Sequence, residues 1–107
     1  APGGTNAQYV AMAEDLSRNA EVFDRFARAL HRGVDWVNER AGQPALLELI
    51  SAFSRVPVER LRNAALPGYP KGVTPAELDE LMATMTRFGL GGRYPASASL
   101  IHRTARV

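Results

Sequence analysis

The stretch from Asn19 to Gly42, NAEVFDRFARALHRGVDWVNERAG, constrains the fold more than any other part of the chain. Val22, Phe23, Phe26, Ala27, Leu30, Val34 and Val37 recur at the spacing that sets apolar side chains along one face of an α-helix. The opposite face offers charge pairs at helix-neighbour distance: Glu21 with Arg25, Asp24 with Arg28, and Arg32 with Asp35. Asn19 suits the start of a helix, and Gly42 suits the left-handed turn that closes one. The spacing predicts a long amphipathic helix over 19–42, with the rest of the chain forming shorter helices that need it to pack against.

At 107 residues the chain fits a single domain, and its 46% hydrophobic content is ordinary for a globular protein. The formal charge is +2, from 13 Lys and Arg against 11 Asp and Glu. Up to Arg62 the two signs are interleaved. Beyond Glu80 only basic residues occur, Arg87, Arg93, Arg103 and Arg106, spread as on a solvated tail. A nucleic-acid interface concentrates its charge on one stripe, so this pattern argues against nucleic acid as a partner. Lys71 is the only lysine, a bias that reflects genome composition rather than function. With no cysteine there is no disulfide framework and no thiolate metal site. No apolar run approaches the roughly 20 residues needed to cross a bilayer, so direct membrane insertion is not expected. The opening residues, Ala1-Pro2-Gly3-Gly4-Thr5-Asn6, are neither basic nor apolar enough for a signal peptide.

Taken in order, residues 1–7 are small and turn-prone and read as a flexible N-terminus. Ala7 to Ala13 is the one candidate strand, carried by Tyr9 and Val10; the alternative is a helix from about Gln8 to Arg18 with Glu14 paired to Arg18. The chain offers no second strand, so a strand here would need a sheet from elsewhere. After the long helix, Pro44 sits at a helix start, where its missing N–H costs nothing, and Leu46, Leu47, Leu49, Ile50 and Phe53 make a short, very apolar segment. Pro57 breaks the chain and begins a third helix at Val58, carrying Leu61, Ala64, Ala65 and Leu66. Leu66 to Gly72 is loop, with two prolines and two glycines. Thr74-Pro75-Ala76-Glu77 is a capping box that opens a helix with Leu78, Leu81, Met82, Met85 and Phe88 on its buried stripe and Gly89 at its stop. Ala96 to Ile101 forms a last short helical turn before a polar tail over 102–107. The expected fold is mainly α, with four to five helices and at most one N-terminal strand, the helical domain or lobe fragment occupying 8–101.

Catalytic and metal-binding patterns are lacking. His31 and His102 have no metal-ligand spacing to each other, and His31 sits beside the apolar stripe as a half-buried surface residue. The serines at 17, 51, 54, 97 and 99 have no nucleophile-elbow context, and Glu77, Asp79 and Glu80 cluster where the helix dipole favours acids. Neither glycine pair matches a phosphate loop. The sequence therefore reads as a non-enzyme with no cofactor and no metal. Trp36 lies off the main stripe, with Arg32 and Arg40 one turn to either side. The two guanidinium groups are spaced to sandwich its ring in a cation–π arrangement, and it reads as a packing residue on the helix flank, with a ligand or partner contact as the second reading. Met82 and Met85 read as core.

With the elements in this order, the chain resembles the C-terminal portion of ABC-transporter substrate-binding proteins of the branch that handles nitrate, sulfonates, taurine and thiamine-pyrimidine precursors. The resemblance is carried by Tyr9-Val10-Ala11-Met12-Ala13-Glu14-Asp15-Leu16 and the linker Ser17 to Glu21, then by the helix phrase Val22 to Asn38 with Asp35-Trp36-Val37-Asn38 at its end. Ala45 to Pro57, Leu66-Pro67-Gly68-Tyr69-Pro70, Thr74-Pro75-Ala76-Glu77-Leu78 and Met85-Thr86-Arg87-Phe88-Gly89-Leu90 continue it, so it covers about residues 8–101. Two features depart from the family pattern: the linker lacks the usual proline, and the long helix is followed by Ala41-Gly42-Gln43-Pro44.

The resemblance implies that the chain corresponds to the helical C-terminal part of one lobe of a type II periplasmic binding protein, a fragment of a longer two-lobed molecule. The parent would capture a small solute by hinge closure in the periplasm or another extracytoplasmic space and deliver it to an ABC permease. Most of the family's pocket lies outside this chain. Asn6 and Tyr9, near the crossing strand, are the positions the resemblance offers at the pocket edge. Two other readings stand beside this one. A self-associating helical interaction module would cover an apolar patch on the order of several hundred Å². DNA binding through a helix over 58–66 would have only Arg60 and Arg62 to offer.

Overall fold

The computed structural model describes residues 7–107. Among these residues six α-helices follow one another: α1 Ala13–Arg18, α2 Ala20–Glu39, α3 Pro44–Ser54, α4 Val58–Arg62, α5 Pro75–Arg87 and α6 Ser97–Leu100. A 3₁₀ turn over Arg103–Ala105 comes last. The chain is mainly α, and among the described residues there is no strand, only an isolated parallel bridge between Val73 and Arg106. Two compact units divide it. One holds residues through Ala27 together with Pro70–Val107; the other is Arg28–Tyr69.

The N-terminal region corrects the sequence reading twice. Residues 7–12 form neither a strand nor the start of a helix, and α1 begins only at Ala13. A strand needs a partner for its backbone groups, and three alanines in seven residues give it little side-chain drive. The helix starts where Glu14 and Asp15 meet its positive end, and the expected pair forms, Arg18 Nη2 donating to Glu14 Oε1 at 2.6 Å. Asn19 then interrupts the helical run with φ −122° and ψ 37°. Its N–H closes α1 on the Asp15 carbonyl at 2.9 Å, while its own carbonyl accepts from Val22 at 3.0 Å and opens α2.

The long helix ends at Glu39, three residues before the predicted stop, and the chain unwinds through tightened turns to Gly42 at φ +74°. Its apolar stripe is covered only in part. Val34 is buried, Phe23, Ala27, Leu30 and Val37 are half-buried, and Val22 and Phe26 are exposed. The spacing pairs Asp24 with Arg28 on the same helix; the structure brings Arg103, from the far end of the chain, to the same carboxylate.

In the unit Arg28–Tyr69, α3 packs on α4 and the buried apolar residues are Val34, Leu46 and Leu61. Pro44 stands at the first turn of α3, as predicted, and Arg55 closes it in the left-handed region at φ 61°, its N–H on the Ser51 carbonyl at 2.8 Å. Pro57 caps α4, but this helix ends at Arg62 instead of continuing to Leu66. Asn63 stops it, the amide Nδ2 donating to the Glu59 carbonyl at 3.4 Å and competing for the backbone as asparagine does in helix interiors.

The other unit contains the most sharply defined ends. At the start of α5, Glu77 N–H donates to Thr74 Oγ1 at 3.3 Å, and Thr74 N–H donates to Glu77 Oε2 at 2.7 Å. This is the reciprocal box that the sequence specified. At the other end, Gly89 N–H reaches the Thr86 carbonyl at 3.0 Å and Leu90 N–H reaches that of Met85 at 2.8 Å, with Gly89 at φ +71°. These are the two bonds of a Schellman close. Helix α6 packs on α5, and Ile101, 4% exposed, is the most buried apolar residue described. The closing residues are tied down: Val73 N–H donates to the Ala105 carbonyl at 2.9 Å, and Arg106 Nε donates to Ile101 at 3.3 Å.

Candidate functional surface

Of the residues singled out from the sequence, Asn6 lies outside the described residues. Tyr9 stands free of regular structure and is 76% exposed, its ring meeting Phe26 edge-on at 5.3 Å between centroids and 71° between planes. The contact holds the segment ahead of α1 against the first turns of α2. Aromatic pairs of this geometry contribute about 0.5–1.5 kcal/mol beyond the area they bury.

Trp36 is half-buried on α2. Arg40 stands over its ring at 4.3 Å and donates from Nη1 to the Trp36 carbonyl at 3.1 Å and to Glu39 Oε2 at 3.4 Å. The sandwich expected from two arginines is one-sided: among the described residues, Arg40 alone lies over the ring and Arg32 does not. The backbone bond explains the asymmetry. Near the end of the helix the Trp36 carbonyl accepts from a side chain one turn on, so Arg40 is held over the ring, whereas Arg32 meets helix interior.

The unit Arg28–Tyr69 carries two surface clefts. One, of about 270 Å³, is lined by Val37, Leu46, Ile50, Leu66 and Tyr69 among others, with Asn38 Nδ2 holding the loop by donating to the Tyr69 carbonyl at 3.1 Å. The other, of about 470 Å³, lies along α3 and α4 beside Leu47, Val58, Glu48, Glu59 and Arg62. Ligand pockets bring a few buried polar groups to one point inside an apolar enclosure. In these clefts the carboxylates and the guanidinium stand on exposed residues. His31 and His102 are half-buried, and His102 Nδ1 accepts from the Thr104 N–H at 3.4 Å, giving the ring a local capping role. No group of three potential metal-ligating side chains occurs among the described residues, and no helix among them is long and apolar enough to cross a membrane.

The surface that stands out was only half legible in the sequence. Helix α3 turns Leu46, 5% exposed, with Leu47 and Ile50 toward its own unit. It leaves Ala45, Leu49, Ala52 and Phe53 on the outside, with Leu49 at 53% and Phe53 at 92% exposure. The signal in the sequence is a broad apolar arc, from Ala45 through Phe53, that leaves Glu48, Ser51 and Ser54 on the remaining side. An arc wider than one contact leaves part of itself in solvent.

Comparison with known proteins returns no match: no family model, no curated protein and no solved structure resembles the chain closely enough to assign it.

Proposed function

We propose that this chain is the C-terminal helical segment of a solute-binding protein that serves an ABC uptake system, for a small solute such as nitrate, a sulfonate, taurine or a thiamine precursor. Its work in the parent is packing: it stiffens one lobe of a periplasmic or otherwise extracytoplasmic molecule that closes on its solute and docks on the permease. One observation carries this reading. Four phrases of the sequence resemblance fall on discrete structural units, although the Tyr9 to Leu16 phrase forms no strand. The phrase from Val22 to Asn38 lies within α2, Ala45 to Pro57 spans α3 and the turn after it, Thr74 to Leu78 is the capped start of α5, and Met85 to Leu90 is its Schellman close. Asn6 and Tyr9 keep their place as pocket-edge positions in the parent. Calorimetric titration of the 107-residue chain with taurine or nitrate is expected to give no heat of binding, and tight binding by this chain alone would sink the proposal. The coding sequence upstream is expected to encode the remaining α/β lobes in frame; a stop codon immediately upstream would count equally against it.

The outer face of α3 favours a second reading, a helical interaction module that associates with itself and has no small-molecule ligand. Leu49 and Phe53 project into solvent from the apolar arc of α3, and association is the ordinary means of covering such residues.

A further inference from the structure

We infer that the turn closing α5, residues 87–93, is a contact for the surface of an anionic phospholipid bilayer. The inference goes beyond the transport reading and uses a surface that reading leaves idle. All eight residues of 86–93 are exposed. Two of them are large and apolar, Phe88 at 69% exposure and Leu90 at 57%. Arg87 and Arg93 flank this pair, and no acidic residue follows Glu80 in the sequence. The Arg87 guanidinium lies 5.4 Å from the centre of the Phe88 ring, so charge and ring are presented together.

The turn is ordered from within. The Schellman bonds of Gly89 and Leu90 hold its backbone to α5, and the Tyr94 hydroxyl donates to the Leu90 carbonyl at 3.0 Å. The same hydroxyl fills the space that a Cβ on Gly91 would need. Phe88 and Leu90 are thus displayed by a fixed backbone, and covering them costs little further chain entropy.

The charge pattern selects the occupant. An acid-free apolar pair between arginines complements a layer that is negative outside and apolar beneath, the profile of anionic headgroups over acyl chains. A protein partner needs matching shape, and neither cleft described above includes any residue of this turn. A bilayer is deformable and makes no such demand. The contact is peripheral, because no described helix is long and apolar enough to cross a bilayer. Two side chains and two arginines anchor less firmly than one myristoyl chain, so half-binding is expected at about 1 mM lipid.

Flotation of the full chain with vesicles of equal parts phosphatidylcholine and phosphatidylglycerol tests this. Binding is expected there, with none to pure phosphatidylcholine, and added salt should weaken it. Phe88→Ser combined with Leu90→Ser should lower the association constant by about tenfold. Arg87→Gln combined with Arg93→Gln should lower it by at least about tenfold. All four side chains are exposed, so the circular dichroism of both variants should match that of the parent. The chain has no cysteine, so Leu90→Cys carries an environment-sensitive dye at one site. Its emission should shift to the blue on these vesicles, whereas the same dye on Ala29→Cys, exposed on α2, should not respond. No binding at about 10 mM lipid overturns the inference. Binding that survives loss of Phe88 and Leu90 is adsorption by charge alone and overturns it too. Equal binding to polyglutamate, indifferent to Phe88, assigns the arginines to an acidic protein instead. None of these outcomes alters the solute titration, so failure here leaves the transport reading to its own test.

Discussion

Arg103 donates from Nη2 to both carboxylate oxygens of Asp24, and so ties the closing residues of the chain to the first turns of α2. The two residues are 79 positions apart, and this ion pair joins segments that no local rule would bring together. Beside it, Val73 and Arg106 form a parallel bridge and the Ala105 carbonyl takes the Val73 N–H. The last residues therefore work as a strap, fastened at Asp24, at Val73 and at the Ile101 carbonyl.

The strap should contribute modestly through its charges. The Arg103 side chain is more than half exposed and solvent screens the pair, so Asp24→Ala or Arg103→Ala is expected to cost about 0.5–1 kcal/mol. A double-mutant cycle read by urea unfolding checks this. Additive single effects would show that the pair contributes nothing, and added salt should reduce the coupling.

Gly72 is the more sensitive point. A Cβ placed there would run into the Ala105 carbonyl, a backbone atom that cannot swing aside. Gly72→Ala is expected to displace the strap at a cost of about 1–3 kcal/mol, the range for overpacking. Hydrogen exchange reads this directly, because the Val73 N–H that donates to Ala105 should lose its protection while amides of α3 keep theirs.

Thr74 and Glu77 satisfy each other's backbone donors, so Thr74→Ala should destabilise by about 1 kcal/mol while Thr74→Ser, which keeps the hydroxyl, should be nearly neutral. Thermal unfolding followed at 222 nm separates the two variants. Equal losses would mean that the cap is not the source of the effect.

Leu46 is 5% exposed and sits on the inner side of α3. Leu46→Ala is expected to cost about 2–5 kcal/mol through lost burial and the cavity left behind. The unfolding midpoint in urea, measured at low protein concentration, should fall accordingly. An effect below about 1 kcal/mol would mean that α3 is not held by this face.

How much of this was legible in the sequence depends on reach. The capping box, Pro44 and Pro57 at helix starts, the Gly89 stop and the Glu14–Arg18 pair are interactions within a few residues, and the sequence pattern contains all of their participants. The strand proposed over Ala7–Ala13 failed because propensity at Tyr9 and Val10 cannot substitute for a pairing partner. Asn19 stands where the pattern placed it, at the start of the long helix, and the same residue also closes α1 through its N–H. For the candidate site residues Tyr9 and Trp36, the surroundings, Phe26 for one and Arg40 for the other, follow from geometry.

By itself the sequence determined that this protein is mainly helical, where most of its helices begin and how α5 is closed at both ends. Those outcomes follow from backbone groups satisfied by near neighbours. Tertiary structure alone decided that Asp24 is engaged by Arg103, that Val73 holds Ala105, and which side of α3 faces inward. The first two join residues with no sequence relationship. The third was open because the apolar arc of α3 is wider than one contact covers; packing on α4 accompanies the burial of Leu46, while Phe53, seven residues on along nearly the same side, stays exposed.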